Sequence, residues 1–395
     1  MSGPGAGDRE RRFERHDAEW RDPARAASLW PGDGEVDPEL LATRVRGPFW
    51  AILEELDVTL LVSREYEHLL LALSVERGRP RVSYLPLPHP SGIAVDRRRA
   101  HVHVACTRNP NQVLLLRPAV PSGAERPTLL PVRSSLLPGS LYLHDLAFVG
   151  EALHANAVGC DAVVRLHEDG GYRLVWWPRC VTQAGGPVPG LNRLQLNSIA
   201  AGADLASSYF SASAERPGRR RPGQPSFPVD RRGVVFHGRS GEVVCRGLTR
   251  PHSARLAGGE LWVANSGYGE VGAVRDGRFE PVTRLPGWTR GLCLLGAGAG
   301  VAFAGTSRVL PRFRRYAPGL DVERSVCAVH AVDAATGRAL ASVAWPAGNQ
   351  VFGIDWLPRG RAGGLPCSGS GPRSKEAARR TFYSYRLDDG DEEGR

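Results

Sequence analysis

His144 with Asp145, Asn197 with Ser198, His252 with Ser253, and Arg290 each head a short segment that continues into apolar residues. Gathered around one mouth, two imidazoles, a carboxylate, a carboxamide and a guanidinium have the chemistry of a small-molecule or metal site. His144, Asp145, Asn197 and His252 could offer nitrogen and oxygen donors to a divalent ion, and Arg290 a planar fork of donors to an anionic group. The plainer alternative is that these side chains cap strand ends and bond to channel water, as buried polar groups must. Asn265 in ANSGYGE and Asn156 in HANAVG carry the same two readings, because Asn also serves turns with unusual backbone angles. The candidate ligand-binding set is therefore His144, Asp145, Asn156, Asn197, His252, Ser253, Asn265 and Arg290. A divalent ion is the one cofactor candidate. No catalytic residue is identified, since the chain contains no G-x-S-x-G elbow, phosphate-binding G-x-x-x-x-G-K-[ST] loop or H-E-x-x-H helix.

These heads belong to a repeat. Copies begin at Ser91 (SGIAVDRRRAHVHVACT), His144 (HDLAFVGEALHANAVG), Asn197 (NSIAAGADLASSYFSAS), His252 (HSARLAGGELWVANSG), Arg290 (RGLCLLGAGAGVAFAGTS) and Phe352 (FGIDWLP), with steps of 53, 53, 55, 38 and 62 residues. Further strand signals follow most copies; VDAATGRAL reads as strand, turn and strand, with Gly supplying the positive φ. A period of roughly 40 to 50 residues built from short strands is the pattern of a β-propeller. The last copy has no sequel, whereas the strands from Asp57 to Pro86 lack a head. Joining the two would close the ring and remove unpaired sheet edges. The expected fold is all-β, a six-bladed β-propeller, with seven blades staying open, closed by pairing of N- and C-terminal strands.

The expected organisation is a flexible segment over 1–37, a helical segment over 38–56 broken at Gly47-Pro48, the propeller over 57–360, and a tail over 361–395 in which TFYSYRL could add a strand. Trp176, Trp177, Trp288, Trp345 and Trp356 are expected to pack between blades, as aromatics in strands usually do.

The net charge of +10 invites a nucleic-acid partner. All but one of the 51 basic residues are Arg, however, and they are spread along the whole chain. The densest run, Arg216, Arg219, Arg220 and Arg221 followed by Arg231 and Arg232, sits in a Pro/Gly-rich stretch without interleaved aromatics for base stacking. A solvated loop is the favoured reading, and nucleic acid is disfavoured as a partner. The seven cysteines form no C-x-x-C pair, and most lie in apolar strands, as buried free thiols do. With no apolar leader or membrane-length apolar run, the expectation is a cytoplasmic protein without a membrane partner.

Several motifs together carry a resemblance: SGEVVCRGLTRPHSARLAGGELWVANSGYGEVG followed by LPGWTRGL, and upstream, in order, LPHPSGIAVD, LHDLAF, WWPRCV and RLQLNSIAAG. Over about residues 50–360 the chain resembles a bacterial family of conserved hypothetical proteins, a domain of unknown function. The resemblance implies a propeller-like fold and brings no activity with it. Where it implies R-C-H-L-N-G this chain reads RLQLNS, placing Gln195 where a His would stand. Two function classes follow: a ligand-binding or enzymatic propeller acting on a small molecule, an anionic one if Arg290 takes part, or a non-catalytic platform whose rim loops and basic insertion grip a protein partner.

Overall fold

The computed structural model describes residues 36–369 except 109–110, 122–125, 169, 184–185, 188–191 and 297–299, with a few residues nearer each end. The segment expected at 1–37 lies almost wholly, and the tail expected at 361–395 mostly, outside the described residues.

Six antiparallel sheets, each of four core strands, make six blades. Their inner strands are Gly353–Pro358 in blade one, then Pro90–Asp96, Leu143–Val149, Leu196–Ala200, Pro251–Ala257 and Trp288–Leu295 in blades two to six. Each inner strand borders those of the blades on either side, so the ring is closed. Closure comes from both ends of the chain: Val58–Arg64 pairs with Gly353–Pro358 from Val58 opposite Pro358 to Ser63 opposite Gly353. Strands buried on both faces lose the alternation of apolar and polar residues, as in Val58–Arg64 (VTLLVSR), every residue of which is buried. The outermost strand of blade six, Ala339–Ala344, instead alternates. Its hairpin is the expected one, with Asp333 Oδ1 accepting from the amides of Ala335 and Thr336 and Gly337 at φ 73°.

The core is divided among the seams between blades. At the seam of blades three and four, Trp176 stacks on Phe210 with ring centroids 3.9 Å apart, and its indole donates to Gly238 O at 2.7 Å. The stretch before the first strand forms two short helices, Pro38–Leu41 and Phe49–Glu55. Between them Arg44–Arg46 adds a fifth strand to the outer edge of blade six. Gly47 makes the turn at φ 68°, where a Cβ would lie 2.5 Å from Leu340 O. The second helix buries Phe49 and Leu53 against blades one and six.

The chain does not leave the propeller at residue 360. Ala362, Leu365 and Cys367 are buried, Leu129 N donates to Gly364 O, and Tyr84 and Cys367 exchange backbone hydrogen bonds. Within the stretch TFYSYRL, Tyr385–Leu387 pairs with residues 119–121 of blade two. Among the described residues no helix is long and apolar enough to cross a membrane.

A ring of side-chain hydrogen bonds fastens the inner strands to one another. Ser63 Oγ donates to Ser91 O, and Ser91 Oγ to Leu143 O. Asp145 Oδ2 accepts from Ile199 N, Ser198 Oγ from Ala254 N, and Ser253 Oγ from Gly291 N, at 2.8 to 3.0 Å. Ser307 and Val351 complete the circuit between blades six and one. All these groups are buried, where a satisfied hydrogen bond contributes about 0.5–1.5 kcal/mol net.

Candidate functional site

In blades two to six the pairing of the inner strand shifts at its head, for example between His252 and Arg255 and between Thr289 and Leu292. Such a bulge breaks the strict alternation of faces and re-aims side chains. In blades three to six the first residue of the repeat then faces the channel mouth, while Asp145, Ser198 and Ser253, the second residues of blades three to five, turn toward the neighbouring blade; in blade two the first residue, Ser91, itself bonds across to Leu143 O. His144, Asn197, His252 and Arg290 accordingly line one cavity of about 100 Å³. The rings of His144, His252 and Phe352 lie 5.3 to 5.7 Å apart, and the Arg290 guanidinium covers Phe352 at 3.7 Å.

The other four predicted residues are placed elsewhere. Asp145 takes the Arg255 guanidinium on both oxygens at 2.7 and 3.1 Å, besides accepting from Ile199 N and Leu146 N. Asn156 accepts from Asp145 N; Ser253 is occupied by His252 and Gly291 N; Asn265 bonds Thr249 N and Glu270. Asp145 and Ser253 fasten neighbouring blades, and Asn156 and Asn265 brace turns of their own blades, consistent with the plainer of the two sequence readings. The proposed metal set is therefore not assembled: Asp145 faces another blade, the Asn197 amide nitrogen is spent on Ser213 and Pro251 O, and Arg290 Nε donates to His252 Nε2 at 3.0 Å, occupying the lone pair a metal would need. Among the described residues no three His, Cys, Asp or Glu converge as metal ligands.

The structure adds a second tier above the first. Tyr142, Gln195, Arg250, Trp288 and Gln350, each two residues before a repeat head, also line the cavity. Only Trp288 stands in its strand; the other four lie in the segments leading into theirs, and their fixed spacing of two residues before the head is a signal present in the sequence. Tyr142, Gln195 and Arg250 hold positive φ of 55°, 53° and 54°, a backbone region that side-chain-bearing residues rarely adopt. Glu65 and Tyr66 from blade one, and Ser307, Arg308, Leu310 and Phe313 from blade six and the loop after it, complete the wall. These loop residues carry no repeat signal. Trp288, expected to pack between blades, stands at this mouth because its blade begins there.

The electrostatics are those of a cationic, largely buried pocket. Burial first, and then the guanidiniums of Arg290, Arg108 and Arg250, hold His144 well below the usual imidazole range; only the neighbouring Asn197 amide pulls the other way. His252 is held low by burial, Arg290 and His144. Burial pulls Arg250 down to about 10 and lowers Arg290. Glu65 is the single carboxylate of the wall, held by the Thr107 hydroxyl. With its amide oriented to satisfy both neighbours, Gln350 donates to Glu65 Oε2 at 3.1 Å and accepts from Arg290 Nη1 at 2.8 Å. His252 accepts at Nε2, so its proton sits on Nδ1 toward Ser253 Oγ. His144 differs from all of these: it is 3% exposed, yet neither ring nitrogen meets hydrogen-bond geometry with any group, the Asn197 amide beside it included, whose nitrogen is turned to Ser213 and Pro251 O. A neutral imidazole beside two guanidiniums offers a ligand one N–H donor and one acceptor nitrogen while the neighbouring cations stabilise an oxyanion.

A family model described as Domain of unknown function (DUF4915) matches residues 47–364. Among solved structures, a chain of the nidogen/laminin complex is similar at 12% identity, covering 76% of this chain and 98% of that one with TM-score 0.49. A gluconolactonase from Xanthomonas campestris is similar at 16% identity, covering 82% and 89% with TM-score 0.46. The WD40 beta propeller domain of Doa1 is similar at 13% identity, covering 63% and 86% with TM-score 0.39. No curated protein sequence matches the chain.

Proposed function

Because the chain belongs to the DUF4915 family, a domain of unknown function, its role has to be argued from the site, and we propose that the channel mouth binds a small molecule through an oxyanion. The observation that carries this reading is His144, buried with both ring nitrogens unpartnered beside Arg290 and Arg250. A buried polar atom left unpaired costs about 1–3 kcal/mol, a penalty that a ligand bonded to the imidazole would remove. Guanidiniums favour carboxylate and phosphate oxygens, and burial strengthens that attraction by excluding water. The space is small: an apolar cavity of about 150 Å³ holds benzene, so about 100 Å³ encloses a group the size of a short carboxylate.

The test is calorimetric titration of the full chain with formate, acetate, lactate and inorganic phosphate at neutral pH. Binding should weaken roughly 10- to 100-fold in Arg290→Gln, the loss of a hydrogen bond to a charged group, and also weaken in His144→Phe. Absence of binding by every one of these anions at millimolar concentration overturns the reading.

A further inference from the structure

The mouth is layered. Its floor carries His144, Asn197, His252 and Arg290, whereas the wall above them carries Tyr66, Tyr142, Trp288, Leu310 and Phe313. We infer that the ligand is an amphipathic acid, a single carboxylate set on the floor and joined to a flat, unsaturated body that reaches out of the cavity of about 100 Å³ along the part-exposed rings of this aromatic collar. The inference rests on the reading of the mouth as an oxyanion site and names the class of ligand for it.

The collar is a built surface. Phe313 lies 6.2 Å from Trp288, 6.0 Å from Tyr316 and 6.4 Å from Tyr66, the last pair nearly parallel at 19°. Arg312 braces it, with its guanidinium 5.1 Å from the Tyr66 ring and 4.8 Å from that of Phe313. Trp288, Phe313 and Tyr142 are nevertheless only half-buried. The seams between blades already supply this fold with its core, so aromatic faces left open around a polar floor match the ligand sites in which apolar walls surround a few orienting polar groups.

The floor argues for one carboxylate over a phosphate dianion. Arg290 spends Nε on His252 and Nη1 on Gln350, Arg250 spends Nη1 on Gln195, and the Arg308 guanidinium donates to Gly348 O and Pro346 O. Arg290 and Arg250 keep further N–H groups for a ligand oxygen, but Glu65 already places a carboxylate in this wall, so a second negative charge on the ligand would meet a like charge there and a single carboxylate suits the site better than a dianion. The flatness follows from the walls: aromatic faces favour another π-system, which can stack or meet them edge-on, over a saturated ring of equal size.

The experiment is titration of the full chain with benzoate, cyclohexanecarboxylate, acetate and inorganic phosphate. Benzoate should bind at least tenfold more tightly than acetate and roughly 3- to 10-fold more tightly than cyclohexanecarboxylate, the range that aromatic contact supplies. Trp288→Ala and, independently, Phe313→Ala should bring the benzoate-to-acetate ratio toward one. Acetate binding as tightly as benzoate would overturn the collar while leaving the oxyanion site standing, and phosphate binding more tightly than every carboxylate would overturn the choice of head group. If none of the four binds, the reading of the mouth fails and the inference with it.

Discussion

Two parts of this molecule are rich in arginine and behave in opposite ways. The channel mouth holds Arg250 and Arg290 in a cavity of about 100 Å³, against aromatic rings and imidazoles. The basic insertion on blade four lines a groove of about 1200 Å³ with Arg216, Arg219, Arg220, Arg231, Arg232 and Arg246, every one exposed. In the groove, water and salt screen the charges within a Debye length of about 8 Å, and surface ion pairs contribute about 0–1 kcal/mol. In the mouth, burial has already pulled Arg250 down to about 10 and lowered Arg290. A guanidinium stripped of water in this way gains most from an arriving anion. Counting arginines therefore points to the groove, while asking which of them are largely buried points to the mouth.

Matched ion pairs give the strongest way to break this contrast. Asp145 and Arg255 form a two-pronged pair with side chains 4% and 20% exposed, and Glu215 and Arg246 form another at 31% and 60%. Removing one partner of a buried pair leaves an uncompensated charge and destabilises by about 3–5 kcal/mol. Asp145→Ala should fall in that range, since it also removes the fastening between blades three and four; Glu215→Ala should fall below about 1 kcal/mol. Urea unfolding of both variants measures the difference, and equal losses would erase the distinction between buried and exposed arginine on which the contrast of mouth and groove rests.

The same contrast explains what could be read from the sequence. Ring closure was legible because the strands from Asp57 lacked an inner partner and GIDWLP lacked outer ones, and edges left open are unfavourable. His144, Asn197, His252 and Arg290 were legible as a column because each heads a copy of the repeat. Asp145 and Ser253 were assigned to the same mouth because the bulge that turns these second residues toward the next blade leaves no mark in residue type. Tyr142, Gln195, Arg250, Trp288 and Gln350 could have been found by stepping back two residues from each head. Glu65, Tyr66, Leu310 and Phe313 could not, because they reach the mouth from loops whose direction is set only once all six blades have closed.

Acid sharpens the comparison by a smaller amount. His144 and His252 are held well below the ordinary imidazole value, and burial lowers His103 and His330 to about 4. In the unfolded chain these groups take up protons below a pH of about 6.5. The unfolded state then binds more protons than the folded one, so stability is fully present above that pH and declines as pH falls toward the folded values. Each such histidine contributes a slope of up to about 1.4 kcal/mol per pH unit within the window. His144→Gln should flatten the fall in urea-derived stability between pH 6.5 and 4.5 by about one histidine's share. A variant as acid-sensitive as the parent would mean that His144 charges freely in the folded state and that the mouth does not keep water from it.

The smallest effect is expected in the groove, and its sign is informative. Arg219, Arg220, Arg231 and Arg232 are exposed and crowd one concavity. Arg220 spends an N–H on Ser226 O, a bond that an exposed backbone carbonyl can replace with water. Like charges in water repel weakly, and surface substitutions away from special features usually change stability by less than about 0.5 kcal/mol. The double variant Arg219→Gln with Arg232→Gln should therefore melt at or slightly above the parent temperature in low salt, and the gap should close as added salt screens the repulsion. Between the blades salt cannot enter the buried Asp145–Arg255 pair, so the losses of Asp145→Ala should persist at the same ionic strengths. A groove variant that melts several degrees lower at every salt concentration would show these arginines fastened into the fold by contacts that are not ionic, and the two regions would then differ in exposure without differing in what their charges do.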